Sequence, residues 1–470
     1  MGFTETTFFF VLLPASIILY LFTDCVFHNN KINNILLGVF SLFFYFWAQR
    51  EAFLIFIAIC VFTYMAGIMV EEGKEKKKIA FSVLVLIGVL LFYKYISLLI
   101  SIINTMLNRE IFTIRNLIVP IGLSFVVFES ISYIVDIYRG NAAAGTLLDC
   151  LVFLSLFPKL VSGPIVLWKN FYSQLKDRKA SIDQVTVGID RIIIGYAKKL
   201  IIADALGAQI VLINNGIAID GVDIPTIWLR AVIYFFQIYY DFSGYSDIAI
   251  GLCNIYGFSL QENFRYPYLS KSVSEFWRRW HISLGTWFRE YVYIPMGGNR
   301  KGNVYVHLLI VFLLTGIWHG VGINFVLWGG IHGIFVLIER AVQEKNWYRK
   351  IPACIKWLLT TVIVFFAWIM FMSKDIVSMG QSFSGMFVPM TTDTINYTWK
   401  YYFSRKIVML LLAGVLGHLY GIPKIQRSIQ SALQDSIGLI VKRILLLALF
   451  VVDIVFLVNA SYTPFLYFQF

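Results

Sequence analysis

Long uninterrupted runs of apolar residues, separated by short polar joints, dominate the chain. Runs of spanning or near-spanning length lie at about 6–23, 32–48, 52–70, 79–103, 117–137, 147–166, 187–213, 226–256, 304–318, 322–338, 355–372, 407–420 and 443–459. A helix that crosses a bilayer core needs about 20 predominantly apolar residues, so these runs predict an all-α polytopic membrane protein. The shorter ones read either as spans or as re-entrant segments. Two stretches carry a different pattern. In 168–179, Trp168, Phe171, Tyr172 and Leu175 recur at i, i+3, i+4 and i+7, while Lys169, Lys176, Arg178 and Lys179 lie largely elsewhere on the wheel. That is the pattern of an interfacial anchor helix. In 273–288, Val273, Phe276, Trp277, Trp280, Leu284, Trp287 and Phe288 share one stripe at helical spacing. Glu275, Arg278, Arg279 and Arg289 face away from it, and His281 falls at its edge, beside the tryptophans.

Composition sharpens this picture. Of 470 residues, 59% are hydrophobic and only 14% are charged, against about 25% charged in ordinary soluble proteins. Disordered, collagenous and disulfide-rich secreted classes are excluded. The net charge of +12 does not mark a nucleic-acid surface, because the basic residues are scattered over many short loops; Lys and Arg there mark cytoplasmic loops. The loop 71–78 carries four lysines and belongs in the cytoplasm. Counting back three spans puts the N-terminus outside, and Lys442 and Arg443 at the start of the last span put the C-terminus outside as well. The five cysteines are widely spaced with no C-x-x-C, which suggests neither a disulfide framework nor a zinc site. The first lysine is Lys31, so no basic region precedes the first apolar run, and that run is expected to stay in place as a span. No internal repeat or low-complexity linker appears, and a single membrane domain over 1–470 is expected.

Candidate chemistry centres on six histidines. His28, His307 and His418 read as structural. His319 lies in Gly316-Ile317-Trp318-His319-Gly320-Val321-Gly322. An imidazole at membrane depth is costly unless paired or facing a wet cavity, and the three glycines permit a broken backbone and close approach of a ligand. His319 is either a general base toward a hydroxyl or a packing histidine between helices. His281 follows Trp277-Arg278-Arg279-Trp280; Arg278 and Arg279 either bind an anionic phosphate from the cytoplasm or anchor the segment. His332, in Trp328-Gly329-Gly330-Ile331-His332-Gly333, reads as packing. These three histidines are 38 and 13 residues apart, with no metal-ligand spacing, so no metal is expected. Asp241 and Asp247 lie six apart and do not share a helix face; with Ser243 and Ser246 they suggest a buried polar network. The aromatic tail 464–470 is either an interfacial belt or a plug that inserts the Tyr467 hydroxyl into a cavity.

Phe157-Pro158-Lys159-Leu160-Val161-Ser162-Gly163-Pro164, Tyr240-Asp241-Phe242-Ser243-Gly244-Tyr245-Ser246-Asp247, Asn263-Phe264-Arg265-Tyr266-Pro267-Tyr268, Phe276-Trp277-Arg278-Arg279-Trp280-His281-Ile282-Ser283-Leu284, Gly298-Asn299-Arg300 and Gly316-Ile317-Trp318-His319-Gly320 together resemble the membrane-bound O-acyltransferase (MBOAT) family. The likeness covers most of the chain and is densest over about 150–340. Within the family it is most similar to the bacterial branch that O-acetylates polysaccharides such as alginate and peptidoglycan. The resemblance implies a ring of tilted and re-entrant helices around a funnel, with a tunnel joining the membrane faces. It implies His319 as the catalytic histidine and His281 as the second family histidine. It also implies acetyl-CoA as donor, a polysaccharide acceptor, an extracytoplasmic SGNH-hydrolase-like partner and the bacterial cytoplasmic membrane as location. The C-terminal Phe465-Leu466-Tyr467-Phe468-Gln469-Phe470 resembles the tail of a small companion protein of teichoic-acid D-alanylation, which makes Tyr467 a candidate acyl relay. The alternatives are D-alanyl transfer from a carrier protein and, from another class, a transporter or flippase.

Overall fold

The computed structural model describes residues 2–110, 117–219, 221–391, 397–433 and 435–459. Tyr467 and the aromatic tail lie outside the described residues. Among the described residues helices dominate, with one two-residue antiparallel ladder pairing Gly221 with Thr391 and Val222 with Met390. Among the described residues seven helices are long and apolar enough to cross a membrane, and the pair Arg405–Leu419 and Pro423–Ala432, bent by 91°, would make an eighth. Helix Lys76–Leu107 has its polarity inside out: Ser82 is fully buried while Leu84 and Met106 are 67% and 81% exposed. Lipid solvates such a surface as well as a protein core would.

The chain forms two compact units, each discontinuous in sequence. The first comprises Met1–Ile192 and Ile248–Gln261. It contains helices Phe8–Phe27, Asn30–Ala48, Phe53–Gly73, Lys76–Leu107 and Leu123–Tyr138. The apolar run expected at 147–166 forms a helix only over Leu147–Ser155. Pro158 and Pro164 cannot donate to a helical ladder, and the chain turns irregularly until helix Trp168–Lys176. Irregular backbone is tolerated at membrane depth only when protein supplies the missing partners. Glu129 supplies one such partner: its Oε1 takes the Val166 amide at 3.2 Å, while its Oε2 pairs with Lys159 Nζ at 2.5 Å.

The amphipathic pattern at 168–179 also resolves differently from an anchor in lipid. Trp168, Phe171 and Leu175 are buried against protein, with Trp168 edge-on to Tyr133 and Phe153 at 4.8 and 5.0 Å and Phe171 stacked on Phe258 at 4.7 Å. Arg178 is drawn inward, its Nε donating to the Tyr256 carbonyl at 3.1 Å.

The second unit comprises Ile193–Asp247 and Glu262–Phe470. A π-helical turn, Ala197–Ala203, interrupts the long helical segment Ile182–Ile219. The turn carries Lys198 and Lys199. Lys199 Nζ meets Asp204 at 2.6 Å and Asp241 at 2.7 Å, and Lys198 Nζ meets Asp247 at 2.6 Å. The buried network expected around Asp241 and Asp247 is therefore an array of ion pairs, which is how charges survive burial. The core of this unit is aromatic, built around Tyr239, Tyr268, Phe276, Trp280, Trp328 and Trp368.

Candidate active site

The second unit holds both motif histidines. His319 closes helix Val304–His319; a break at 320–322 follows, and helix Ile323–Val342 returns against the first. The glycines serve this hairpin. A Cβ on Gly316 would lie 2.4 Å from the Phe325 carbonyl oxygen, and one on Gly320 would lie 2.1 Å from the Phe325 ring. The close approach the sequence suggested for a ligand is made by the chain itself. The His319 ring is buried among aromatic edges: Trp318 at 4.7 Å, Trp328 at 5.0 Å and Phe371 at 5.2 Å between centroids.

The stripe expected as one helix over 273–288 is two. Val273–Arg279 and Ile282–Phe288 are separated at Trp280 and His281, and His281 adopts the left-handed conformation with φ 45°. Val273, Phe276, Trp280, Leu284, Trp287 and Phe288 of the expected stripe are buried and Trp277 is half-buried, because the break largely preserves the register of the face. A left-handed histidine is strained, and it persists because its surroundings hold it. Asn263 is the holder. Its backbone carbonyl accepts the Ile282 amide at 3.0 Å, and its Oδ1 accepts the Ser283 amide at 3.2 Å and the Ser283 hydroxyl at 2.9 Å. The first amides of a helix lack internal partners, and Asn263 supplies two of them from outside the helix. The same Oδ1 lies 3.2 Å from His281 Nδ1. Asn263 Nδ2 in turn donates to Ser246 Oγ at 3.0 Å. Three separate sequence motifs thus meet in one buried chain, Ser246–Asn263–His281.

Helix Val273–Arg279 is fixed at its own start by Glu339 of helix Ile323–Val342, whose carboxylate accepts the Val273 amide at 2.5 Å, the Ser274 amide at 2.8 Å and the Ser274 hydroxyl at 2.7 Å. His281 lies 6.2 Å from Trp318, the indole adjacent to His319, and meets Phe242 edge-on at 4.7 Å. His332 sits in an aromatic box, parallel to Phe276 and edge-on to Trp277 and Trp328, both at 5.1 Å. His307 and His418 each turn Nδ1 to a carbonyl, of Gly298 and Gly414, at 3.1 and 3.2 Å. Nearby, burial pushes the Tyr268 phenol well above the ordinary tyrosine range; its hydroxyl stays protonated and donates to the Phe235 carbonyl at 2.6 Å.

The two arginines separate. Arg279 is engaged with Glu275 at 2.7 Å, and its Nη1 donates to the Arg265 carbonyl at 3.2 Å. Arg278 is exposed, with no hydrogen-bond or ion-pair partner among the described residues. Of the groups that hold the site, the sequence named Asn263 only as part of a motif and gave Glu339 no role. Glu339 did carry a signal, as an acid at the end of an otherwise apolar run.

Comparison with known proteins places this arrangement. A family model described as MBOAT, membrane-bound O-acyltransferase family, matches residues 42–384. The probable alginate O-acetylase AlgI of Pseudomonas putida is 35% identical over the full length of both chains. The peptidoglycan O-acetyltransferase of Helicobacter pylori is 30% identical across 82% of this chain and 79% of its own length. The teichoic acid D-alanyltransferase of Bacillus subtilis is 30% identical across 53% of this chain and 67% of its own. With a helical, multi-span architecture and a family match over most of its length, this chain belongs to the membrane-bound O-acyltransferase family and is a multi-pass membrane acyltransferase.

Proposed function

We propose that the protein moves an acetyl group from cytoplasmic acetyl-CoA across a bacterial cytoplasmic membrane for O-acetylation of an extracytoplasmic polysaccharide. The observation that carries this reading is the 35% identity, end to end, with the probable alginate O-acetylase of Pseudomonas putida. His319 acts as general base on an acceptor hydroxyl. The hydroxyl oxygen bonds to the thioester carbonyl carbon, the C–S bond breaks, and the proton passes by way of the imidazole to the departing thiolate. A neutral imidazole suits this work near pH 7. His281 is the second histidine of the site. Exposed Arg278 meets the phosphates of the donor as it approaches. The first acceptor is either Tyr467 of the C-terminal tail or a serine of an SGNH-hydrolase-like partner, which then passes the acetyl group to sugar hydroxyls.

The test is transfer from radiolabelled acetyl-CoA by the purified, full-length protein in detergent. Wild type, His319→Ala and Tyr467→Phe are compared, and label is mapped by peptide mass spectrometry. His319→Ala is expected to abolish transfer while the protein still folds; retained activity would remove His319 from the base role. Label on Tyr467 that disappears in Tyr467→Phe would identify the relay. Label appearing only on an added partner would move the acceptor there. No turnover of acetyl-CoA under either condition would instead favour a carrier-protein thioester and D-alanyl transfer, the activity named for the Bacillus subtilis relative.

A further inference from the structure

Asn263 does more than close a helix end. Amide oxygen and nitrogen are hard to tell apart by shape alone, but here the neighbours decide. The backbone N–H of Ser283 can only donate, so the Asn263 atom 3.2 Å from it is the oxygen. That oxygen carries no hydrogen and can only accept. The same atom lies 3.2 Å from His281 Nδ1, so Nδ1 must carry the proton. A neutral imidazole has one N–H and one lone pair; the lone pair therefore resides on Nε2. Ser246 Oγ accepts from Asn263 Nδ2 at 3.0 Å in this orientation; because a hydroxyl can also donate, it is the Ser283 amide that sets the sense of the Asn263 side chain.

We infer that Asn263 is a positioning residue that fixes His281 as the Nδ1–H tautomer, so that Nε2 presents a proton acceptor to the reacting groups. In this form His281 receives a hydrogen bond from a hydroxyl, and it does not donate one to the thioester carbonyl. The assignment rests on the acyl-transfer reading for its chemical meaning, but the tautomer itself follows from the hydrogen bonds alone. The neutrality of the side chain matters as well. An aspartate at 263 would keep the acceptor but favour the imidazolium, because a nearby opposite charge stabilises the protonated ring.

The experiment is nitrogen NMR on full-length protein labelled with 15N-histidine in detergent, with the His281 signals assigned by their absence in His281→Gln. At pH 7 wild type should show a protonated Nδ1 and an unprotonated, lone-pair Nε2 for His281. Asn263→Leu should abolish that preference and lower kcat by on the order of 10-fold or more, with a smaller change in the KM for the donor. Asn263→Asp covers the case in which the leucine variant does not fold. It should restore the Nδ1–H form and move the His281 titration, read from the same signals, upward by about one pH unit. A protonated Nε2 in wild type, or a His281 titration that stays put in Asn263→Asp, overturns the assignment. Because these signals need no substrate, an Nδ1–H tautomer in a protein that ignores acetyl-CoA would defeat the donor reading and leave this one standing.

Discussion

At the residue scale the site depends on groups that look unremarkable alone. Gly316 is one. A methyl group there would press into the Phe325 carbonyl at 2.4 Å, and backbone cannot move aside as a flexible side chain can. Gly316→Ala should destabilise the protein by about 1–3 kcal/mol, read as a lower melting temperature in detergent, with activity lost at temperatures the wild type tolerates. Asp149 offers a pH-dependent counterpart outside the spans. Burial alone would push its carboxyl up, but hydrogen bonds from Lys176 Nζ at 2.8 Å and from the Thr146 amide and hydroxyl more than offset this, and the group is held below its ordinary value. A carboxylate depressed in the folded state stabilises it fully above the unfolded value of about 3.9. That contribution is lost as pH falls through the folded value. Melting curves taken downward from pH 6 should therefore show a steeper loss of stability for wild type than for Asp149→Asn below about pH 4; parallel curves would reject the assignment.

At the element scale, the two short helices around His281 illustrate how a face can be legible while its backbone is not. The apolar stripe over 273–288 picks out six of its seven residues as buried, with Trp277 half-buried, and misses Ser283, because hydrophobic spacing records only which apolar residues point inward. A break that keeps the register leaves that spacing untouched. At the break Asn263, 18 residues away, accepts the Ile282 and Ser283 amides that open the second helix, while Glu339, in a later helix, caps the start of the first at Val273 and Ser274. Neither contact is local in sequence. The same element separates two neighbouring arginines. Arg279→Ala removes the bonds to Glu275 and to the Arg265 carbonyl and should lower the melting temperature, at a cost of about 1 kcal/mol. Arg278→Ala should leave melting unchanged and raise the KM for the donor several-fold, with an effect that fades in high salt as exposed charges are screened. Equal effects of both substitutions on KM would return Arg279 to the donor site.

At the scale of the whole molecule, apolar surface faces outward along the long helices while ion pairs and hydroxyls are gathered inside each unit. Lys199 with Asp204 and Asp241, and Lys159 with Glu129, are buried pairs of this kind. Removing one partner alone would strand the other, which is why such pairs survive together. The lysine-rich joint between helices Phe53–Gly73 and Lys76–Leu107 is expected on the cytoplasmic side. Lys77 is exposed there. A cysteine placed at this position, in a background where exposed Cys25 and Cys354 are serine, should react with a membrane-impermeant maleimide in inside-out vesicles and stay unlabelled in intact cells. Labelling from outside would invert the topology.

Membrane character, most helix positions and the family could be read along the chain, because partition into lipid depends on apolar length and composition and motifs are short, and all of these are local properties. The run at 147–166 shows the boundary of that reasoning: hydropathy extends it to a span, while its prolines end the helix at Ser155 and Glu129 stabilises the irregular backbone that follows. The left-handed joint at His281, the contact of its ring with Asn263 and the different settings of Arg278 and Arg279 emerge only when the chain is folded. These features arise from hydrogen bonds between segments far apart along the chain, and no periodicity within one segment records them.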